Sequence, residues 1–210
     1  MGIAIVDYGM GNLKSVYKAF KALGLEATIT SSPEAILKAD KVVLPGVGAF
    51  RDAILELNRS GLSEAVQEVA KKGKPLLGIC LGMQLLFDKS YEYGEYEGLH
   101  LLPGEIVKFK EEEMVDAKGE RLKVPHMGWN NLEFTQKAPL FKGLEEGCSV
   151  YFVHSYYLTT SQDVVSAYTN YGTHIAVAAQ RENVFATQFH PEKSGAVGLK
   201  ILENFGGLSR

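Results

Sequence analysis

Cysteine is scarce in this 210-residue chain: Cys80 and Cys148 are the only two. Two thiols are too few for the disulfide framework of a small secreted domain and fit a reducing, cytoplasmic compartment. No apolar run approaches the roughly 18 residues of a membrane-spanning helix, so no membrane partner is expected. The run Met1–Tyr8 is broken by Asp7 and has no basic stretch before it, which argues against a signal peptide. Val6 stands where a myristoylation motif needs Ser or Thr. Neither sign of charge is in excess. A net charge of −3 provides no basic field for a nucleic-acid backbone. Hydrophobic residues at 46% and charged residues at 22% exclude disorder, collagen and coiled coil. With no repeat, low-complexity tract or linker, one domain over residues 1–210 is expected, large enough to fold without staples.

A dinucleotide-binding fingerprint is also incomplete. Gly9-Met10-Gly11 follows a short strand and opens a helix, but Lys14 occupies the place of the third glycine. A tight strand-to-helix turn accounts for the two glycines, and no phosphate loop follows elsewhere. No cofactor is expected. Glu111-Glu112-Glu113 reads as a solvated tip, because adjacent acids on a turn do not converge on one point, so no metal site is expected.

What the chain does have is alternation. Strand patterns at Ile3–Asp7, Ala27–Thr30, Lys41–Leu44 and Pro75–Ile79 are separated by helical patterns at Leu13–Leu23, from Ser32-Pro33-Glu34, at Ala53–Asn58 and at Leu62–Lys72. This predicts an α/β fold in three layers, a mostly parallel sheet with helices on both faces. The second half predicts additional antiparallel structure: a hairpin of Glu105–Phe109 with Arg121–Val124, then strands at Val150–His154, Val164–Thr169, Ile175–Ala179 and Phe185–Phe189, and a closing helix at Gly195–Leu202.

The strongest local signal is Gly78-Ile79-Cys80-Leu81-Gly82, with an apolar strand running in and a helix over Met83–Phe87 running out. This is a nucleophile elbow with Cys in place of Ser. Side chains two residues either side of so sharp a turn would collide, hence the glycines. A cysteine at a helix N-terminus gains stabilisation of its thiolate, and the Leu81 N–H would point at a reacting carbonyl oxygen. An isolated cysteine is more often a small buried hydrophobe; Cys148, in Gly147-Cys148-Ser149, has no elbow and reads as strand packing.

A thiol nucleophile needs a base. Of His100, His126, His154, His174 and His190, only the last has an obvious carboxylate partner, in Gln188-Phe189-His190-Pro191-Glu192. Pro191 ends the strand there. Glu192, two residues on, projects to the same side in extended chain, where it would hold one ring nitrogen and leave the other for Cys80.

Taken together, Pro45-Gly46-Val47-Gly48, Gly78-Ile79-Cys80-Leu81-Gly82-Met83-Gln84 and His190-Pro191-Glu192 resemble the class I glutamine amidotransferases, in order and spacing, over nearly the whole chain. The resemblance implies a flavodoxin-like version of the predicted sheet. It also implies a cysteine-thioester hydrolysis of L-glutamine to glutamate and ammonia by Cys80, His190 and Glu192. The oxyanion would rest on Val47, Gly48 and Leu81. Gly46, Gln84, Glu92, Ser155 and Tyr156 fall at glutamine-binding positions. Without the resemblance, Gln84 and Glu92 also fit an exposed helix and loop, and Ser155-Tyr156 fit strand packing.

A narrower similarity lies in Asp7-Tyr8-Gly9-Met10-Gly11-Asn12-Leu13, Val124-Pro125-His126-Met127-Gly128-Trp129-Asn130 and Tyr151-Phe152-Val153-His154-Ser155-Tyr156. These resemble the glutaminase subunits of imidazole glycerol phosphate synthase. That implies a heterodimer with a (β/α)₈ cyclase, whose interface would take Asn12, His126, Trp129 and Asn130. His126 and Trp129 also suit a loop pinned by an amphipathic ring. The alternatives are an amidotransferase subunit of another pathway, a catalytically silent regulatory subunit, and a free-standing cysteine hydrolase. A fused synthetase is not expected, since the sequence runs only to Arg210 after His190. The two glycines of Pro45–Gly48 would permit a peptide flip, which suggests activity gated by the partner.

Overall fold

Four short strands buried on both faces, β1 (Ile3–Val6), β3 (Lys41–Leu44), β4 (Leu76–Ile79) and β14 (Val184–Thr187), form the middle of the sheet, and β2 (Ala27–Thr30) is its edge. The computed structural model describes residues 2–116, 118–135, 138–161 and 163–209. Met1 and Arg210, the ends of the expected domain, and Ala117, within the expected hairpin, lie outside them.

These strands are parallel in the order β2-β1-β3-β4-β14. Chain direction across the sheet reverses between β1 and β3, the doubly wound arrangement in which ligands bind beyond the carboxyl ends of the strands. Alternation sorts the side chains: Ala4 and Val6 of β1 face one core layer, Ile3 and Ile5 the other. The first layer is covered by α2 (Pro33–Lys38), α3 (Phe50–Arg59), α4 (Leu62–Lys71) and α5 (Leu81–Leu85). The second is covered by α1 (Leu13–Ala22) and α6 (Gly195–Gly206), where Phe20 meets Phe205 with ring centroids 6.5 Å apart. The local signals work as expected. Ser32 Oγ accepts from Ala35 N at 3.3 Å to cap α2, and Gly24 leaves α1 with φ +71°.

Beyond β14 the sheet turns antiparallel through β13 (Thr173–Arg181), β11 (Tyr156–Thr159) and β7 (Glu105–Lys108), which pairs in parallel with β5 (Lys89–Ser90); β6 (Tyr96–Glu97) closes that edge. Strand β12 (Val165–Tyr171) joins β13 and the short β9 (Glu133–Phe134). A separate two-stranded sheet pairs β8 (His126–Asn131) with β10 (Ser149–His154).

The expected hairpin of Glu105–Phe109 with Arg121–Val124 does not form. Both edges of β7 are taken, by β11 and β5. Arg121 instead bridges Val115 across a turn in which Asp116 Oδ1 accepts from the N–H groups of Lys118 and Glu120. Glu111, Glu112 and Glu113 are exposed, with Glu113 paired to Lys110 at 2.8 Å. Among the described residues no helix is long and apolar enough to cross a membrane, and no cluster of three His, Cys, Asp or Glu is placed to hold a metal ion.

Candidate active site

The carboxyl ends of β1, β3, β4 and β14 deliver four short segments to one rim: Gly9–Asn12, Pro45–Gly48, Cys80 and Gln188–Glu192. Cys80 sits between β4 and α5 at φ 54° and ψ −110°, a backbone conformation that side chains rarely adopt. Strain of this kind costs on the order of 1–3 kcal/mol and persists where the surroundings over-determine it. Here its N–H is tied to Thr187 O at 2.8 Å. The flanking glycines are sterically required: a Cβ on Gly78 would lie 2.7 Å from Gly82 O, and one on Gly82 would strike Leu44 O.

His190 is 1% exposed and follows β14, where its N–H donates to Tyr151 O. Its Nδ1 lies 2.7 Å from Glu192 Oε1, and both side chains are buried. Ser194 Oγ donates to His190 O at 2.7 Å and accepts from Tyr151 N at 2.9 Å, which fixes the backbone around the ring. The other ring nitrogen, Nε2, is buried without a hydrogen bond in good geometry. Burial opposes the charged imidazolium, but the hydrogen-bonding and charge of Cys80 and Glu192 outweigh it and lift His190 to about 10. The ring therefore carries its Nδ1 proton toward Glu192 and presents Nε2 to the sulfur.

Asn12 supports the carboxylate, its Nδ2 donating to Glu192 Oε1 at 3.4 Å. Tyr8, 2% exposed, donates its hydroxyl to Pro45 O at 2.9 Å and anchors the segment that runs to Gly48. Burial, and then the nearby Cys80, raise the Tyr8 pKa, so the hydroxyl stays a donor.

A cleft of about 280 Å³ lies over the sulfur, lined by Val47, Gly48, Cys80, Leu81, Gln84, Glu92, Ser155, Tyr156 and His190, with Pro125, Val153 and His154 completing it. The first nine, all marked in the sequence, thus converge on one cavity. Gly48 is exposed at φ +104°, and Val47 is exposed beside it. Glu92 is half-buried. Its Oε2 accepts from Phe50 N at 2.7 Å, which caps α3 directly after the Pro45–Gly48 segment. Burial raises the Glu92 pKa, partly offset by that N–H, with Asp52 adding to the rise.

Several expectations change. Gly46 does not line the cleft; it is buried beneath it, where a Cβ would strike the Tyr8 hydroxyl and approach Gly82 N to 3.0 Å. The absence of a side chain there allows the close approach of Tyr8 and Gly82. Gln84 is not an exposed helix residue: it is 5% exposed, and its Nε2 is 3.0 Å from Gln188 Oε1 and 3.4 Å from Tyr156 O. Two of the five histidines gain carboxylate neighbours that the sequence does not show, His100 with Asp88 and Glu97 and His174 with Glu133, all exposed. Of the expected interface set, Trp129 is 58% exposed, with Met127 beside it on the same strand face, whereas His126 is 2% exposed and Asn130 faces inward to His126 and Asn170 O. Sequence reasoning does not reach Gln188, fully buried with its Nε2 3.8 Å from Cys80 Sγ, nor Tyr8 and Ser194 as anchors. The position of Gln188 two residues before His190, in phase with it along the strand, is the available signal.

Residues 4–206 match the family model described as glutamine amidotransferase class-I. The chain is 51% identical over 207 residues to the imidazole glycerol phosphate synthase subunit HisH of Geobacter sulfurreducens, covering 98% of each chain. It is 52% identical over 204 residues to the same subunit of Geobacter metallireducens, covering 97% of this chain and 96% of that one. In fold it is similar to a crystal structure of a glutamine amidotransferase, with TM-score 0.73 at 22% identity over 98% of this chain and all of that one. It is similar also to PurLQS of Thermotoga maritima, with TM-score 0.72 at 18% identity over 98% of each chain. With its elbow cysteine, buried histidine and carboxylate on one sheet edge, the chain belongs to the class-I glutamine amidotransferases, among the HisH subunits of imidazole glycerol phosphate synthase.

Proposed function

We propose that Cys80, His190 and Glu192 carry out glutamine hydrolysis in this chain, which is the glutaminase subunit of an imidazole glycerol phosphate synthase. The observation that carries the assignment of roles is the buried Glu192–His190 pair aimed at a cysteine held in elbow geometry. With the proton shared with Cys80 resting on His190 Nε2, Cys80 Sγ attacks the side-chain amide carbon. The carbonyl oxygen becomes an oxyanion, received by the N–H of Leu81 and by the Val47-Gly48 backbone. His190 returns the proton to the departing nitrogen, ammonia leaves, and a thioester to Cys80 remains. Water, deprotonated by His190, then releases glutamate and the free thiol. Glu192 keeps the imidazole oriented and balances its charge throughout. Gln84, Glu92, Ser155 and Tyr156 form the walls that hold glutamine, a neutral zwitterion small enough for the cleft.

The partner is a (β/α)₈ cyclase that receives the ammonia and makes imidazole glycerol phosphate and the aminoimidazole carboxamide ribotide. The exposed Trp129 and Met127, on the strand paired with β10, support a docking face beside the cleft. The exposed Gly48 supports a resting Pro45–Gly48 peptide that the partner reorients. Two free thiols and no disulfide fit a reducing compartment, which supports a cytoplasmic location. The whole chain acts as one domain.

Glutamate release with and without the cyclase and its ligand tests the reading, beside Cys80→Ala. Partner-dependent turnover that Cys80→Ala abolishes is the expected result. Turnover surviving in Cys80→Ala removes the mechanism, and full turnover without the partner removes the gating.

A further inference from the structure

Behind the cleft, Gln188 is buried with no exposed surface. It lies between the end of β14 and His190, and its backbone N–H donates to Val177 O at 2.8 Å. A side-chain amide placed so deep persists only if both ends are paired. Its Oε1 accepts from Gln84 Nε2 at 3.0 Å, and its own Nε2 stands 3.8 Å from Cys80 Sγ. Gln188 and His190, two residues apart in extended chain, project to the same side, and both approach the sulfur.

The orientation of this amide is determined by its surroundings. Gln84 Nε2 faces Tyr156 O at 3.4 Å, and a backbone carbonyl only accepts. Gln84 must therefore turn its NH₂ end inward, and Gln188 must answer with its carbonyl oxygen. The NH₂ of Gln188 is then left for Cys80. The reverse orientation would aim a carbonyl dipole at a sulfur that becomes negative.

We infer that Gln188 is a positioning residue for the nucleophile: its side-chain N–H holds the Cys80 sulfur in place, and Gln84 locks the amide so that a donor faces it. This rests on the reading of Cys80 as nucleophile. An N–H···S contact strengthens when the sulfur is a thiolate and weakens once it is a neutral thioester, so Gln188 favours the attacking form. The Cys80 sulfur also lies 4.0 Å from Val153 O. The sulfur thus has that carbonyl on one side and the Gln188 donor on another.

Gln188→Met keeps the length of the side chain and removes the donor. The measurement is the rate of iodoacetamide alkylation of Cys80 in the full chain, read by peptide mass spectrometry, with Cys148 of the same molecule as internal reference. Steady-state glutaminase kinetics with the cyclase follow on the same preparations. Losing one donor to a charged group corresponds to about a tenfold effect. Cys80 alkylation and kcat each fall about tenfold, while KM for glutamine and Cys148 alkylation stay within about twofold. If Gln188→Met does not fold, the comparison runs on Gln188→Glu, similar in shape but with an acceptor toward the sulfur, where both losses are larger. Unchanged Cys80 alkylation overturns the inference. So does a parallel change at Cys148, which signals loosening, or a rise in KM with kcat intact, which places Gln188 in substrate binding. Cys80→Ala in the same kinetic assay separates this from the nucleophile reading, since turnover surviving there discards the nucleophile itself.

Discussion

His126 Nδ1 and His154 Nε2 lie 3.0 Å apart, in register across the β8–β10 ladder. Their outer nitrogens fix the direction of the bond. His154 Nδ1 is 2.8 Å from Tyr156 O, so it must carry a proton. Its Nε2 is then the acceptor and His126 Nδ1 the donor, and His126 Nε2 accepts from Asn130 Nδ2 at 3.4 Å. Every link is satisfied only with both rings neutral. The pair connects β8, which exposes Trp129, to Tyr156 in the wall of the cleft.

Neutral buried histidines make stability depend on pH. Burial pushes His126 down to about 4. Burial, then His126 and His190, push His154 down to about 3, against the Tyr156 carbonyl. The unfolded chain therefore binds more protons than the folded one below about pH 6.5, and stability from this pair is lost as pH falls from there toward 3. His190, raised to about 10, acts in the opposite sense: its contribution is complete below about pH 6.5 and is lost as pH rises through 10. A His126→Gln variant isolates the first effect. Between pH 7.5 and 5, wild type should lose about 2 kcal/mol more unfolding free energy than the variant, because one fewer ring must stay uncharged. Urea titrations at the two pH values measure this; equal losses would show that His126 takes a proton in the fold.

Among the described residues, Glu192 is the only carboxylate bonded to His190. Glu192→Gln leaves the shape and removes the charge, so kcat should fall by about 10²–10⁴ with the fold intact. One of the two groups that raise the His190 pKa is then gone, and the alkaline limb of the pH–rate profile should move to lower pH. A profile with an unmoved limb would assign that limb to another group.

Gly82 faces a steric wall at Leu44 O, with Pro45 C 3.2 Å from where its Cβ would stand. Neither neighbour is a flexible side chain, so Gly82→Ala must displace the backbone of β3 or α5. We expect a loss of at least about 2 kcal/mol in a urea titration, and loss of glutaminase activity from distortion of the elbow. Wild-type stability in the Gly82→Ala variant would contradict the packing of α5 on the end of β3.

Trp129 contributes little to the isolated fold, being 58% exposed with an edge contact to Tyr151 at 6.2 Å. Trp129→Ala should change the stability of the chain by no more than about 0.5 kcal/mol. Affinity for the cyclase should fall by at least about tenfold, as for a central aromatic anchor. Calorimetric titration of the two subunits checks both the loss and its place in the interface.

Local chemistry was legible in the sequence wherever a few adjacent residues must satisfy one steric demand. Gly78 and Gly82 announce the elbow because no side chain fits there, and His190 with Glu192 follow from i, i+2 phasing past a proline that stops the strand. The alternation of buried strands and amphipathic helices implied the layered sheet for the same reason, since each element must bury its own apolar face. Tertiary structure decided what depends on partners distant in the chain. The edges of β7 went to β11 and β5 rather than to Arg121–Val124, because pairing depends on which strands are brought alongside. Asn12 reached Glu192, His126 found His154, and Gln188 turned its amide to Cys80, each across a separation that no local pattern records. A buried polar group takes whatever donor or acceptor the fold presents, and only the assembled sheet determines which one that is.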